Sequence, residues 1–461
     1  MTQSPEPISL SFDRGTILIS GQKAAVSALD LPGSVFDARV GLHRSPARYY
    51  RHIVTKLRDL TVPYEDGARA YETLNLKLQI GRDPFPFQQE ALEAWWSAGG
   101  QGVVVLPTGS GKTFVAQLTM MKAQRSTLVV VPTIDLMQQW HGVLSSQFDM
   151  EVGLIGGGYH EPMDVTVATY DSAYLHMERL GNRFGLIIFD ECHHLPGPSY
   201  IVTADLTIAP FRLGLTATLE REDGGEARLL EALGETVYRQ EIKTLSGEYL
   251  SDYQTVKVSV RMTDDEHERY TESRGVYRNF LQRQQIAMGS PNGWSRFVMM
   301  SSRSKEGRQA FLAYREQKMI AQGSSAKMRA LERLLQQHRH DRVLVFTSDN
   351  ETVYRLSRQF LIPAITHQTK VKERHRLLAA FNSGEFPFIA TSRVLNEGVD
   401  VPAANVAIVL SGSGSVREHV QRLGRILRRA EGKHATLYEV VTESTGEEYV
   451  SNRRRQHSAY K

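Results

Sequence analysis

The chain is predicted to be α/β, with two parallel-sheet lobes, a helical insertion between them and a small amino-terminal α+β domain. Three observations predict this. At 461 residues the chain exceeds what one hydrophobic core usually organises, so two or three domains are expected. Apolar strand-like runs alternate with amphipathic helical stretches in two separate series, the pattern of parallel sheets covered by helices. Between the two series lies a stretch with helical patterning and a large excess of positive charge. Hydrophobic residues at 41% and charged residues at 23% are close to globular averages, which excludes extended disorder and a coiled coil.

Residues 1–80 carry short alternating pieces at 8–12 and 16–20 and a helix-like run at 46–60, the makings of the small domain. Residues 81–250 form the first lobe, with strands expected at 102–106 (GVVVL), 127–131 (TLVVV), 164–168, 185–189 (GLIIF) and 212–215. Residues 251–325 form the insertion, with helices expected around 264–285 and 305–322. Residues 326–461 form the second lobe, with strands at 342–346, 387–390, 406–410 and 436–441. Positions 274–327 hold ten Lys or Arg residues against Glu306 and Glu316. That excess reads either as a footprint for a polyanion or as a solvated helical face.

No run of 18 apolar residues is present, and the first ten residues lack a signal-peptide pattern, so a cytoplasmic protein without membrane association is expected. The one cysteine, Cys192, can form no internal disulfide and no zinc site by itself.

The chemistry begins at residues 106–113, LPTGSGKT, directly after a predicted strand and before an amphipathic run. Thr108, Gly109, Ser110, Gly111, Lys112 and Thr113 are the expected phosphate-binding set. Gly109 and Gly111 let backbone N–H groups turn towards phosphates, Lys112 reaches the β/γ oxygens, and the Thr113 hydroxyl suits Mg²⁺. At the end of GLIIF, Asp190 is expected to hold Mg²⁺ and Glu191 to deprotonate the attacking water. A zinc reading of Cys192, His193 and His194 fares poorly, because consecutive residues leaving a strand point in different directions. ATP and Mg²⁺ are thus the expected cofactors.

Hydroxyl residues follow other predicted strands: Thr133, Thr169, Thr216 and Thr218 in the first lobe, Thr391 and Ser392 in the second. Thr133, Thr169 and Thr391 are candidates for contact with a nucleic-acid backbone, and helix capping is the alternative for each. In the second lobe, Asp400 is a candidate at the nucleotide, and residues 421–428, QRLGRILR, place Arg422, Arg425 and Arg428 on one helical face. Gln421, Arg425 and Arg428 are expected to complete the catalytic site by stabilising charge on the transferring γ-phosphoryl group.

PTGSGKT, DECH, LTAT and QRLGRILR, in that order, resemble the superfamily 2 helicases over roughly residues 85–441. A narrower resemblance is to the XPB family of DNA-repair helicases. It rests on Arg221, Glu222 and Asp223 after LTAT, on HHLPGPSY at 193–200, on QRLGRILR and on the insertion, which resembles that family's thumb. The resemblance implies RecA-like lobes with ATP in the cleft between them. It also implies ATP-dependent opening of duplex DNA with 3′ to 5′ polarity, as in nucleotide excision repair, and a thumb that grips DNA. Arg221, Glu222 and Asp223 would act near the fork, and residues 1–80 would be a damage-recognition domain. The short length is similar to the minimal prokaryotic forms, which implies a nucleoid-associated protein and a partner nuclease or repair factor.

Two positions depart from the family pattern. Phe85 stands where an arginine precedes the adenine-recognising glutamine, leaving Gln88 as that glutamine and Arg82 as a substitute; Cys192 replaces a hydrophobic residue in the acidic box. Arg44, Arg48, Tyr49, Tyr50 and Arg51 read either as nucleic-acid contacts or as a packed helix with a wet basic face. An RNA helicase and a nucleic-acid-binding scaffold that recruits a partner nuclease remain alternatives, although Lys112, Glu191 and Arg428 argue against a degenerate motor.

Overall fold

A computed structural model describes residues 7–79, 81–219, 224–290, 292–392, 395, 403–412, 415–427 and 433–455. The chain divides into two compact units, Met1–Gln240 and Glu241–Lys461.

The first unit starts with a five-stranded sheet of β1 (Ile8–Asp13), β2 (Thr16–Ser20), β3 (Val35–Asp37), β4 (Leu42–Pro46) and β5 (Tyr64–Gly67), in the order β3-β4-β2-β1-β5. Arg14 and Gly15, both at positive φ, make the two-residue turn between β1 and β2. Gly15 is also a contact point, since a Cβ there would meet Leu206 Cδ2 at 2.2 Å. The helix Tyr50–Asp59 buries Tyr50, Ile53, Val54 and Leu57 on this sheet, and Ile208 joins the same core. Arg48 ion-pairs with Asp205 at 3.0 Å and Glu231 at 3.2 Å, and Arg51 donates to the carbonyls of Gly99 and Pro210. Arg44 pairs with Asp13 and Asp37, and the Tyr50 hydroxyl donates to Asp66. These side chains, read from sequence as nucleic-acid contacts or a wet face, are engaged within the unit, and Arg48 and Arg51 join the small domain to the larger sheet.

That larger sheet comprises β6 (Gln101–Val105), β7 (Thr127–Val131), β8 (Gly153–Gly156), β9 (Tyr159–Glu161), β10 (Val165–Thr169), β11 (Leu186–Asp190), β12 (Phe211–Thr216) and β13 (Thr236–Arg239). Its order is β13-β6-β12-β11-β7-β10-β8-β9, parallel except for β9. Every residue of β7, β10 and β11 is buried, as expected where helices cover both faces.

The second unit holds an all-parallel sheet of β14 (Asp252–Val260), β15 (Val343–Phe346), β16 (Ala364–Ile365), β17 (Phe388–Thr391), β18 (Val406–Val409) and β19 (His434–Thr442), ordered β14-β19-β18-β15-β17-β16. Strand β14 differs from the expectation that residues 251–325 are all insertion. Val256, Val258 and Val260 alternate along it and pack on the core of the second sheet. The helices Asp264–Arg283, Gly293–Ser301 and Lys305–Gly323 follow, packed around Phe280, Phe297 and Ala310. Of the ten basic residues at 274–327, eight are exposed, but Lys327 is wholly buried.

Candidate functional site

The loop after β6 turns through Gly109 (φ 90°) and Gly111 (φ 86°), conformations that disfavour any side chain, and delivers Lys112 to the first turn of the helix Lys112–Ala123. Ser110 braces the loop by donating its hydroxyl to the Pro107 carbonyl at 2.7 Å. Lys112 Nζ donates to the Leu106 carbonyl at 3.3 Å. Gln88, buried on the helix Pro86–Ser97, donates from Nε2 to the Ser110 carbonyl at 2.9 Å, and its Oε1 accepts the Phe85 N–H at 3.1 Å. A Cβ on Gly111 would lie 2.6 Å from Gln88 Nε2, so a side chain there would displace the Gln88 amide as well as strain the backbone. Arg82 stacks over the Phe114 ring at 4.0 Å, beside the same helix.

Strand β11 lies two strands from β6 and carries Asp190 and Glu191 at its carboxyl end. Asp190 is held at both oxygens: Oδ2 accepts the Trp140 indole N–H at 2.8 Å, and Oδ1 accepts the Glu191 N–H at 2.9 Å. Burial raises the Asp190 pKa, the Glu191 charge adds to this, and Lys112 and the Trp140 hydrogen bond oppose it. Burial also pushes the Cys192 thiol up. Glu191 sits in the left-handed region (φ 47°), a costly conformation for a non-glycine residue that occurs preferentially at functional sites. Its Oε2 accepts no hydrogen bond and lies 3.5 Å from His193 Nδ1, itself 3.0 Å from the Thr216 hydroxyl.

The donor set suits a nucleotide with a divalent cation. The Thr108 hydroxyl is buried without a hydrogen-bond partner, Glu191 Oε2 is likewise unused, and the glycine cradle leaves room where side chains would intrude. Among the described residues no cluster of three or more His, Cys, Asp or Glu side chains could hold a metal by itself. A cation here would share its ligands with phosphate oxygens.

Thr133 caps the helix Ile134–Phe148 by accepting from Leu136 N, and Thr169 caps Tyr170–Leu180 by accepting from Ser172 N. Both sit at the carboxyl edge of the sheet, and the capping alternative describes their present bonds. Thr391 departs further from expectation. It is fully buried at the end of β17, so its hydroxyl presents no surface to a polynucleotide. In the second unit the helix Val416–Ile426 buries Gln421, Arg422 and Arg425, with the Arg422 guanidinium 5.3 Å from the Phe346 ring centroid. That helix ends at Ile426, and Arg428 lies outside the described residues, as do Asp400, Arg221, Glu222 and Asp223.

Three family models match the chain: the Xeroderma pigmentosum group B helicase damage recognition domain over residues 10–68, the type III restriction enzyme res subunit over 82–221, and the helicase conserved C-terminal domain over 326–430. A protein of Sulfurisphaera tokodaii named DNA 3'-5' translocase XPB2 is 42% identical over 89% of this chain and 99% of its own length. The chain belongs to the XPB helicase family. A second XPB relative, the DNA 3'-5' helicase XPB of Mycobacterium tuberculosis, is 34% identical over 92% of this chain and 73% of its own. The Pyrococcus furiosus Hef helicase domain superposes with a TM-score of 0.52 at 19% identity, covering 80% of this chain and 98% of that one, a likeness of fold. XPB membership implies ATP use, and the small domain of this XPB chain corresponds to the damage-recognition model.

Sequence reasoning assigned no hydrogen-bonding role at this XPB site to Trp140, Tyr170 or His193, the last named only within the family motifs and in a disfavoured zinc reading. Each makes a hydrogen bond to a residue at least 20 positions away, and no spacing rule reports such a pair. The only signal was the position of His193 two residues after Glu191.

Proposed function

We propose that this chain is an ATP-driven motor that translocates along and opens duplex DNA with 3′ to 5′ polarity in DNA repair. The observation that carries the reading is the phosphate loop, braced by Gln88 and Ser110, in one sheet with the doubly held Asp190 and the unused Glu191 oxygen. The Sulfurisphaera tokodaii relative, named as a DNA 3'-5' translocase, supports the substrate and direction.

Backbone N–H groups from Thr108 to Thr113 hold the phosphates and Lys112 neutralises them. Thr113 and Asp190 would hold Mg²⁺, which would supply neutralisation of phosphate charge. Glu191 Oε2 takes the proton of the attacking water. Gln88 is the adenine contact, and its bond to Ser110 ties base recognition to the loop. Asp400, Gln421, Arg425 and Arg428 act on the nucleotide from the second lobe, the two arginines stabilising γ-phosphoryl charge. Thr133 and Thr169 line the edge that meets the DNA backbone, Arg221, Glu222 and Asp223 act at the fork, and the exposed basic face of the insertion grips the duplex. A repair nuclease is the partner class, and the nucleoid the expected place of work. No helix among the described residues is long and apolar enough to cross a membrane.

The test is steady-state ATP turnover of the wild type and Glu191→Gln, alone and with duplex DNA, single-stranded DNA and RNA at fixed low salt. Stimulation by DNA that vanishes in the variant supports the motor. Greater stimulation by RNA moves the substrate to RNA, and turnover unaffected by Glu191→Gln removes the assignment.

A further inference from the structure

Two aromatic side chains from separate helices converge on Asp190. Trp140, from the helix after β7, reaches its side-chain oxygen with the indole N–H. Tyr170, from the helix after β10, donates its hydroxyl to the Asp190 carbonyl at 3.1 Å. Both rings are buried, at 1% and 2% exposure, so each polar tip needs an internal acceptor. A backbone carbonyl would serve any buried indole, yet Trp140 takes one oxygen of the residue proposed to hold Mg²⁺.

Both helices begin at the sheet's carboxyl edge, capped by Thr133 and Thr169; Tyr170 directly follows its cap, and Trp140 lies about two turns beyond Thr133. The helix from Thr133 to Trp140 is therefore a short rigid arm between the proposed DNA edge and the Asp190 carboxylate, while Tyr170 ties the Thr169 end of its own helix to the Asp190 carbonyl by one peptide link. Of the two donors that orient the Asp190 carboxylate, the Glu191 N–H is fixed by adjacency in the chain. The Trp140 N–H moves with its helix, and a hydrogen bond weakens steeply as its angle departs from linearity.

We infer that Trp140, with Tyr170, is a positioning residue through which DNA on the edge at Thr133 and Thr169 sets the orientation of the Asp190 carboxylate. The inference rests on the proposed reading of that edge as the DNA contact. It supplies a route, contained within the first unit, by which DNA stimulates hydrolysis.

The experiment uses the full chain, Trp140→Phe and Tyr170→Phe, with three readouts: affinity for a labelled duplex, the ratio of DNA-stimulated to unstimulated ATP turnover, and tryptophan emission on adding duplex without nucleotide. The chain has four tryptophans, so the wild-type minus Trp140→Phe difference isolates the Trp140 signal. Wild-type emission should change on adding DNA, and most of that change should be absent in Trp140→Phe. Its stimulation ratio should fall about tenfold, as for one lost charge-assisted hydrogen bond, with duplex affinity within about twofold. An unchanged ratio together with an unchanged emission response overturns the inference while leaving the motor intact. If Trp140→Phe melts well below the wild type, Tyr170→Phe, which removes one hydroxyl, decides. A ratio lowered about threefold supports the inference, and an unchanged one overturns it. A wild type that neither binds duplex nor responds to it in turnover overturns the proposed function as well.

Discussion

The imidazole Nδ1 of His193 lies 3.0 Å from the hydroxyl of Thr216. That hydroxyl gives its one proton to the Thr218 carbonyl at 2.8 Å, so Nδ1 is the donor in the pair, and Nδ1 also lies 3.5 Å from Glu191 Oε2. Glu191 is thereby linked to the loop after β12. Replacing His193 by Ala should lower kcat for ATP by about ten- to a hundredfold with KM changed less than about threefold, because positioning and not binding is lost. His193→Asn, which keeps an N–H donor, should recover part of it. A kcat equal to wild type in steady-state assays would remove the role.

Arg48 and Arg51 join the small domain to the first lobe through two ion pairs and two backbone carbonyls. The ion pairs are partly exposed and contribute little, while the Arg51 bonds to carbonyls are charge-assisted. The double Ala variant should lose about 2 kcal/mol in denaturant unfolding and become sensitive to limited proteolysis near residue 80. Its duplex affinity should stay within about twofold. A large loss of affinity would return these arginines to the DNA surface.

Asp190 is pushed up from 3.8 to about 6 by burial and the neighbouring Glu191 charge. The folded chain without ligand therefore holds a proton that the unfolded chain releases, and stability falls as pH rises from about 4 through the folded-state value. Asp190→Asn removes that dependence. Its melting temperature relative to wild type should rise between pH 4 and pH 8 in the absence of Mg²⁺ and nucleotide, and a pH-independent difference would contradict the linkage.

Lys327 is fully buried, donates to the Leu410 carbonyl and lies 2.6 Å from Glu447 Oε2. Burial lowers its pKa and Glu447 opposes this. Lys327→Met leaves a carboxylate and a carbonyl without their cation and should cost about 3–5 kcal/mol of second-unit stability. Lys327→Met with Glu447→Leu should recover more than half of that in denaturant melts, as replacing both members of a buried pair usually does. Equal losses in the single and double variants would show that the pair is not the source.

The parallel-sheet architecture and the ATP motifs were legible because both are local. Runs of buried β-branched residues announce β7, β10 and β11, and glycines with a lysine between strand and helix announce the phosphate loop. Strand β14 was hidden by adjacency to the basic helices, although Val256, Val258 and Val260 alternate. The short strands β8, β9, β13 and β16 span at most four residues, too few for a period to register.

The sequence by itself determined the order of the longer buried strands, the glycine-lysine loop proposed to hold phosphate and the acidic pair at the end of β11, since each depends on residues a few positions apart. Only the tertiary structure decided what the charged and polar side chains do with their second partner. Lys327, counted among surface charges, is buried; Arg48 and Arg51 join a domain; Thr391 is enclosed; and Trp140 and His193 serve Asp190 and Glu191. The physical reason is that a buried donor or charge must find its partner in space. The partner of Trp140 is 50 residues away and that of Lys327 is 120, distances at which a linear pattern carries no trace of the pairing.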